Sequence, residues 1–178
     1  RDEIGARNVM ELVAIVEPSS GTNPGHMVIG QEAGGVSRYF GFRFDPTELP
    51  AEYQIAARWQ EFLFLNTTFG SIHDEMLYLQ RVREAGRLLV EKRVPCTALI
   101  EAFIPPPAEW HQNAMYSFSP DNFHSDASPC YNCVTWAIEI GNRVVAGFLT
   151  PVRQGRIKLI RRQLRFPDPA GAADDETH

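Results

Sequence analysis

The sequence predicts an α+β fold, an antiparallel sheet with one helix packed against it, and three observations lead there. Strand-like and helix-like segments do not alternate regularly; they run strands, helices, strand, helix, strands. Two apolar runs, "HMVIGQE" and "VSRYFGFRF", flank the turn "AGG" and read as a β-hairpin. The run "YNCVTWAIEI" is apolar at helical spacing and follows a loop rich in Ser, Asp and Pro. With 178 residues, 44% of them hydrophobic and 22% charged, one domain can bury a core without disulfide or metal staples.

The first element is "VMELVAIVEP" (Val9 to Pro18), a buried strand because it is β-branched, apolar and closed by proline. "SSGTNPG" is a loop, and the hairpin follows. "DPTELPAEYQIAARWQEFLFLN" starts with helix-initiating residues and keeps a helical period to about Leu65. "HDEMLYLQRVREAGRLLVEKRV" predicts a second helix, with acids early and bases late to suit the helix dipole. "CTALIEAFIPPP" reads as a strand stopped by prolines, and the segment after it is irregular as far as Pro129. The helix from about Asn132 to Ile140 ends near Gly141. "RVVAGFL" and "RIKLIRRQL" read as late strands, and residues 169–178 as a disordered tail.

A net charge of −5 argues against a nucleic-acid partner, which favours a basic stripe. The one basic run, Arg153 to Arg165, alternates with apolar residues as an edge strand does. No stretch of 18 apolar residues exists, so no membrane span is expected. The N-terminus has neither an initiator Met nor the pattern of a signal peptide, as expected of an excised domain or a processed product. Three cysteines is an odd count, which rules out a complete disulfide framework and favours reduced thiols.

Cys130 and Cys133 form a C-x-x-C pair with four readings. A closed zinc site needs about four ligands, and Cys130, Cys133 and His124 lack a second spaced pair. A redox site wants the pair after a strand, and here a loop precedes it. Two small buried thiols would be ordinary core. The catalytic reading starts from Asn132, a good N-cap that puts Cys133 in the first helical turn. There the dipole favours a thiolate, and free backbone N–H groups can hold an oxyanion. Cys130 precedes the helix and lacks these advantages.

A thiolate nucleophile needs a base, normally histidine. His178 is terminal, His73 begins the second predicted helix, and His111 and His124 lie in the irregular segment. His26 opens a predicted buried strand, which holds an imidazole rigidly, although a core histidine would sit there equally well.

Taken together, "GHMVIGQ…GGVSRYFGFRF" followed far downstream by "YNCVTWA" resembles the circularly permuted NlpC-like cysteine hydrolases. In that family the histidine hairpin precedes the cysteine helix. Lecithin:retinol acyltransferase and its phospholipase relatives share this order, as do bacterial proteins that include secreted effector toxins. Gly41-Phe42 looks most like the bacterial group. The resemblance implies a papain-like fold over residues 1–168, with a helical insert at about 45–92 that has no counterpart in it. It implies a Cys133–His26 hydrolase that needs neither cofactor nor metal, with Asn132 in the oxyanion region. It also implies a peptide, cell-wall or protein substrate and a cognate inhibitor protein, in a secreted or delivered effector or a cytoplasmic setting. A lipid acyltransferase or thioesterase, and an inactive binding domain, are the alternatives on this scaffold.

Such enzymes place a polar residue on the next strand to orient the imidazole. If the turn centres on Gly34, His26 faces position 42, and Arg38 is the polar residue on that face. An arginine cannot accept an imidazole N–H. Ser37 or Tyr39 after a register slip, Gln31, Glu32 and Asp126 are the other options.

Overall fold

The run Leu12–Val16 is apolar without a break because it is covered on both faces. It lies in β1 (Met10–Glu17) of a computed structural model that describes residues 9–20 and 23–150. β2 (His26–Ala33) and β3 (Val36–Phe44) form the expected hairpin. β4 (Thr68–Asp74), β5 (Val90–Cys96), β6 (Ala114–Tyr116) and β7 (Cys130–Tyr131) complete a seven-stranded sheet in the order β5-β1-β2-β3-β4-β6-β7. Its pairs are antiparallel except β6 with β7. Three helices join it: α1 (Ala56–Leu65), α2 (Met76–Glu84) and α3 (Cys133–Val144). The architecture is mixed α+β.

Side chains alternate across the sheet and divide the core in two. Ala14, Met27, Ile29, Phe40 and Phe42 pack with Val134, Ala137 and Ile140 of α3. Val13, Ile15, Val28 and Tyr39 pack with Leu79 of α2 on the other face. The starts of α2 and α3 both come to the end of the sheet where β2 begins, and His26 stands between them.

Several sequence expectations change. Pro46 and Pro50 divide the first predicted helix into two 3-10 turns, Pro46–Glu48 and Ala51–Tyr53, before α1 begins at Ala56. The insert at 45–92 is not all helical. Thr68–Asp74 alternates buried and exposed residues and pairs with β3, while Val90–Cys96 is an edge strand on β1. α2 stops between them, where the Arg87 N–H bonds the Val82 carbonyl and the Gly86 N–H that of Arg83. The strand expected at "CTALIEAF" is a 3-10 turn, Ile100–Phe103. α3 runs past Gly141, which is a packing residue: a Cβ there would come within 3.1 Å of Leu149 and 3.2 Å of Ile29. "RVVAGFL" is therefore the end of that helix and the turn after it. "RIKLIRRQL" and the tail 169–178 lie outside the described residues.

Asn132 caps α3. Its Oδ1 accepts from the N–H groups of Val134 and Thr135, each at 2.9 Å, and Thr135 Oγ1 accepts from the Asn132 N–H at 3.0 Å. Asn132→Ala is expected to cost about 1–2 kcal/mol, and Asn132→Asp, which keeps the acceptor, much less. Urea unfolding of the two variants checks this.

Candidate active site

The hairpin turn sets the geometry of the site. Gly34 and Gly35 have φ of 56° and 83°, the pair of positive values that a two-residue type I′ turn requires. The turn is therefore centred between them, with Ala33 opposite Val36 and Ile29 opposite Phe40. Carried on to the open end of the hairpin, this register sets His26 across from Arg43 instead of Phe42. The face shared with His26 then holds Tyr39, Gly41 and Arg43. Arg38 falls on the other face, where its side chain is 63% exposed and pairs with Glu101 at 2.9 Å. The position expected to orient the imidazole is thus remote from it, displaced by one residue of register.

The partner of His26 is Glu75, the residue that leads into α2. His26 Nε2 lies 2.8 Å from Glu75 Oε1. Arg43 grips the same carboxylate twice, Nε to Oε1 at 2.7 Å and Nη2 to Oε2 at 3.0 Å. The Glu75 side chain is only 2% exposed. Burial alone would raise its pKa, but the bonds and charges of His26 and Arg43 outweigh burial and lower it. Gly41 makes the room: a Cβ at this position would lie 2.1 Å from Glu75 Oε1. Tyr78, one turn into α2, holds the assembly from the side. Its ring meets His26 edge-on with centroids 4.9 Å apart, and the Arg43 guanidinium lies 4.8 Å from its centroid. The Tyr78 hydroxyl donates to Glu17 Oε1 at 2.7 Å.

Cys133 completes the line. Burial would push its thiol pKa up, but the hydrogen bond and charge of His26, with help from the Met27 N–H and the Arg43 charge, bring it below the ordinary value. For His26, burial acts to lower the pKa, and the bonds to Cys133 and Glu75 more than reverse this. Since Nε2 is engaged by Glu75, Nδ1 is the ring nitrogen left to serve the sulfur. Both shifts run in the direction that favours a thiolate–imidazolium pair over a thiol and a neutral ring. Cys130, three residues away, has no such partner, and burial pushes its pKa up to about 11.

Tyr116, on β6, brings its hydroxyl to the Cys133 sulfur and to the Cys133 backbone N–H. Burial and the nearby sulfur charge hold its proton on. The Asn132 cap uses the N–H groups of Val134 and Thr135, while the Cys133 N–H donates to the Tyr116 hydroxyl oxygen and that hydroxyl donates to the Cys133 sulfur. These are the two donors beside the sulfur that can turn from each other to a substrate oxygen and hold an oxyanion.

The remaining candidates are placed elsewhere. Gln31 bonds Ala98 and Ile100, Glu32 is shared by Tyr39 and Arg93, Ser37 lies opposite Glu32 near the closed end of the hairpin, and Asp126 is exposed. His73 pairs with Ser71, His111 is exposed, and the His124 ring bonds the Cys130 backbone. Among the described residues, no group of three His, Cys, Asp or Glu side chains is arranged to hold a metal ion.

Sequence reading did not identify Glu75, Arg43, Tyr78 or Tyr116. The signal for Glu75 was faint: an acid at the start of a predicted helix reads as a dipole partner. Comparison of the chain with protein-family models, curated proteins and solved structures gives no match.

Glu75→Gln is expected to destabilise the fold by about 3 kcal/mol, near the low end for breaking a buried ion pair because Arg43 is partly exposed. The Glu75 contribution is present above the ordinary glutamate value of 4.5 and is lost as pH falls through its lowered folded value. Thermal unfolding from pH 3 to 7 should show an acid-side loss in the wild type that is reduced in Glu75→Gln. Gly41→Ala, which pushes the carboxylate off His26, should cost about 1–3 kcal/mol and raise the Cys133 pKa as well.

Proposed function

We propose that this protein is a cysteine-dependent hydrolase that cleaves an amide bond through an acyl-enzyme on Cys133. The observation that carries this reading is the line Cys133–His26–Glu75: a thiol at a helix N-terminus, an imidazole beside it, and a buried carboxylate on the far ring nitrogen. In the forward step the Cys133 thiolate attacks the carbonyl carbon, while Tyr116 and the Cys133 N–H take up the oxyanion charge. The His26 Nδ1 proton passes to the departing amine as the C–N bond breaks. Water then gives a proton to His26 and attacks the thioester, which releases the carboxylic acid and regenerates the thiolate. Glu75 keeps the imidazole in one orientation, and Arg43 keeps Glu75 ionised and in place.

The reading extends to scaffold and setting. The histidine hairpin, then the cysteine helix on the same sheet, supports a permuted NlpC-like member of the papain-like hydrolases. A peptidoglycan peptide or a protein is the favoured substrate, and a secreted bacterial toxin or effector with a cognate inhibitor the favoured setting. The inactive binding-domain alternative drew its support from the lack of an orienting residue, and Glu75 removes that ground. Among the described residues no helix is long and apolar enough to cross a membrane.

Site-resolved iodoacetamide alkylation as a function of pH tests the proposal. Cys133 should react as a thiolate well below the free-cysteine range of about 8.5. His26→Ala should slow the reaction at pH 6 by at least about tenfold and move the profile upward, since burial is then opposed only by the Met27 N–H and the Arg43 charge. Cys133→Ala should abolish amide hydrolysis, His26→Ala should lower it roughly 10²–10⁴-fold, and Cys130→Ser should be mild. An ordinary thiol profile at Cys133, indifferent to His26, would overturn the reading.

A further inference from the structure

The cleft beside His26 has two unlike banks. It has a volume of about 320 Å³, and Phe44, Trp59, Tyr116 and Phe118 form one side of it. These rings make a continuous wall that begins at the nucleophile, because Tyr116 is the residue whose hydroxyl meets Cys133. Phe44 lies 5.0 Å from Tyr116, Trp59 5.5 Å from Phe44, and Phe118 5.9 Å from Tyr116. The opposite bank is polar. There Glu17 is already shared by Asn23, Tyr78 and Arg87. The bank therefore presents polar side chains gathered around a charge-paired carboxylate instead of a second apolar surface.

We infer that the substrate is a peptide whose residue on the acyl side of the scissile bond carries a large apolar side chain, seated on this wall with Trp59 as its specificity residue. This inference rests on the cysteine chemistry proposed above and adds the substrate class to it. An apolar side chain on the wall gains burial and edge-to-face ring contacts. The polar bank suits the amide groups of a peptide backbone. The volume, at the small end of ligand sites, suits one such side chain and not a long acyl chain. Trp59 Nε1 is buried without a hydrogen-bond partner. The indole N–H thus makes no bond that stabilises the fold, and what Trp59 offers the cleft is ring surface, so phenylalanine should replace it.

The test compares chloromethyl ketones of N-acetyl-Phe, N-acetyl-Gly and N-acetyl-Asp, a long-chain alkyl chloromethyl ketone, and iodoacetamide, which has no recognition element. The rate of Cys133 alkylation is read by mass spectrometry. The Phe probe should react at least about tenfold faster than the Gly probe, the discrimination that an apolar pocket provides. Trp59→Ala should bring that ratio close to one and Trp59→Phe should preserve it, each rate being taken relative to the iodoacetamide rate of the same variant. Equal Phe and Gly rates, or a faster Asp or long-chain probe, would overturn the substrate class while leaving an iodoacetamide-reactive Cys133–His26 pair intact. Loss of the His26-dependent iodoacetamide profile would instead remove the cysteine chemistry and this inference with it. The wild-type ratio decides the substrate class even if Trp59→Ala fails to fold.

Discussion

A carboxylate 2% exposed is the constraint on which the site depends. Glu75 would not stay ionised at that depth alone, because desolvation of a lone charge costs several kcal/mol. It is held by the Arg43 fork on one side and by His26 on the other. Each partner comes from a different element: Arg43 from β3, His26 from the first residue of β2, Glu75 from the start of α2. Their convergence pins the end of the sheet to the helix that covers it. It also passes a fixed orientation to the imidazole, and through that to the sulfur.

The arrangement is layered from charge toward reactivity. Glu17, Tyr78 and Arg87 form an outer polar cluster, with the Tyr78 ring between Glu17 and His26. Arg43 and Glu75 form the next layer. The innermost pair, His26 and Cys133, is the one whose protons would move. A buried polar network of this kind is stable only when each member is satisfied. The contrast between Cys133 and Cys130 shows what it achieves. Both thiols are buried, but only the one within reach of His26 has its pKa lowered.

The helix that carries Cys133 contributes separately. Asn132 takes two of the free N–H groups at the start of α3, which steadies the turn that carries Cys133. The Cys133 N–H remains and meets the Tyr116 hydroxyl. Tyr116 also begins the aromatic wall of the cleft, so one residue joins the surroundings of the Cys133 sulfur to the surface that would receive a side chain. The short strand β6 that carries Tyr116 is positioned by β4, the strand hidden within the span expected to be helical.

What was legible in the sequence was local. The apolar run of β1, the glycine-centred hairpin and the asparagine cap before Cys133 are each decided by residues within a few positions of one another. The candidacy of Cys133 and His26 followed from those elements. The tertiary structure decided what depends on register and on long separations. Two glycines with positive φ, in place of one central glycine, turn the hairpin by one residue, bring Arg43 to the imidazole and send Arg38 to the surface. β4 was missed because Gly70 and Ser71 weaken its strand pattern, and only pairing with β3 selects the extended form. Glu75 lies 49 positions from His26, and nothing in either neighbourhood demands the other. Periodicity and capping act over one or two turns of chain, while a buried charge takes its partners from whatever elements the packing brings to it.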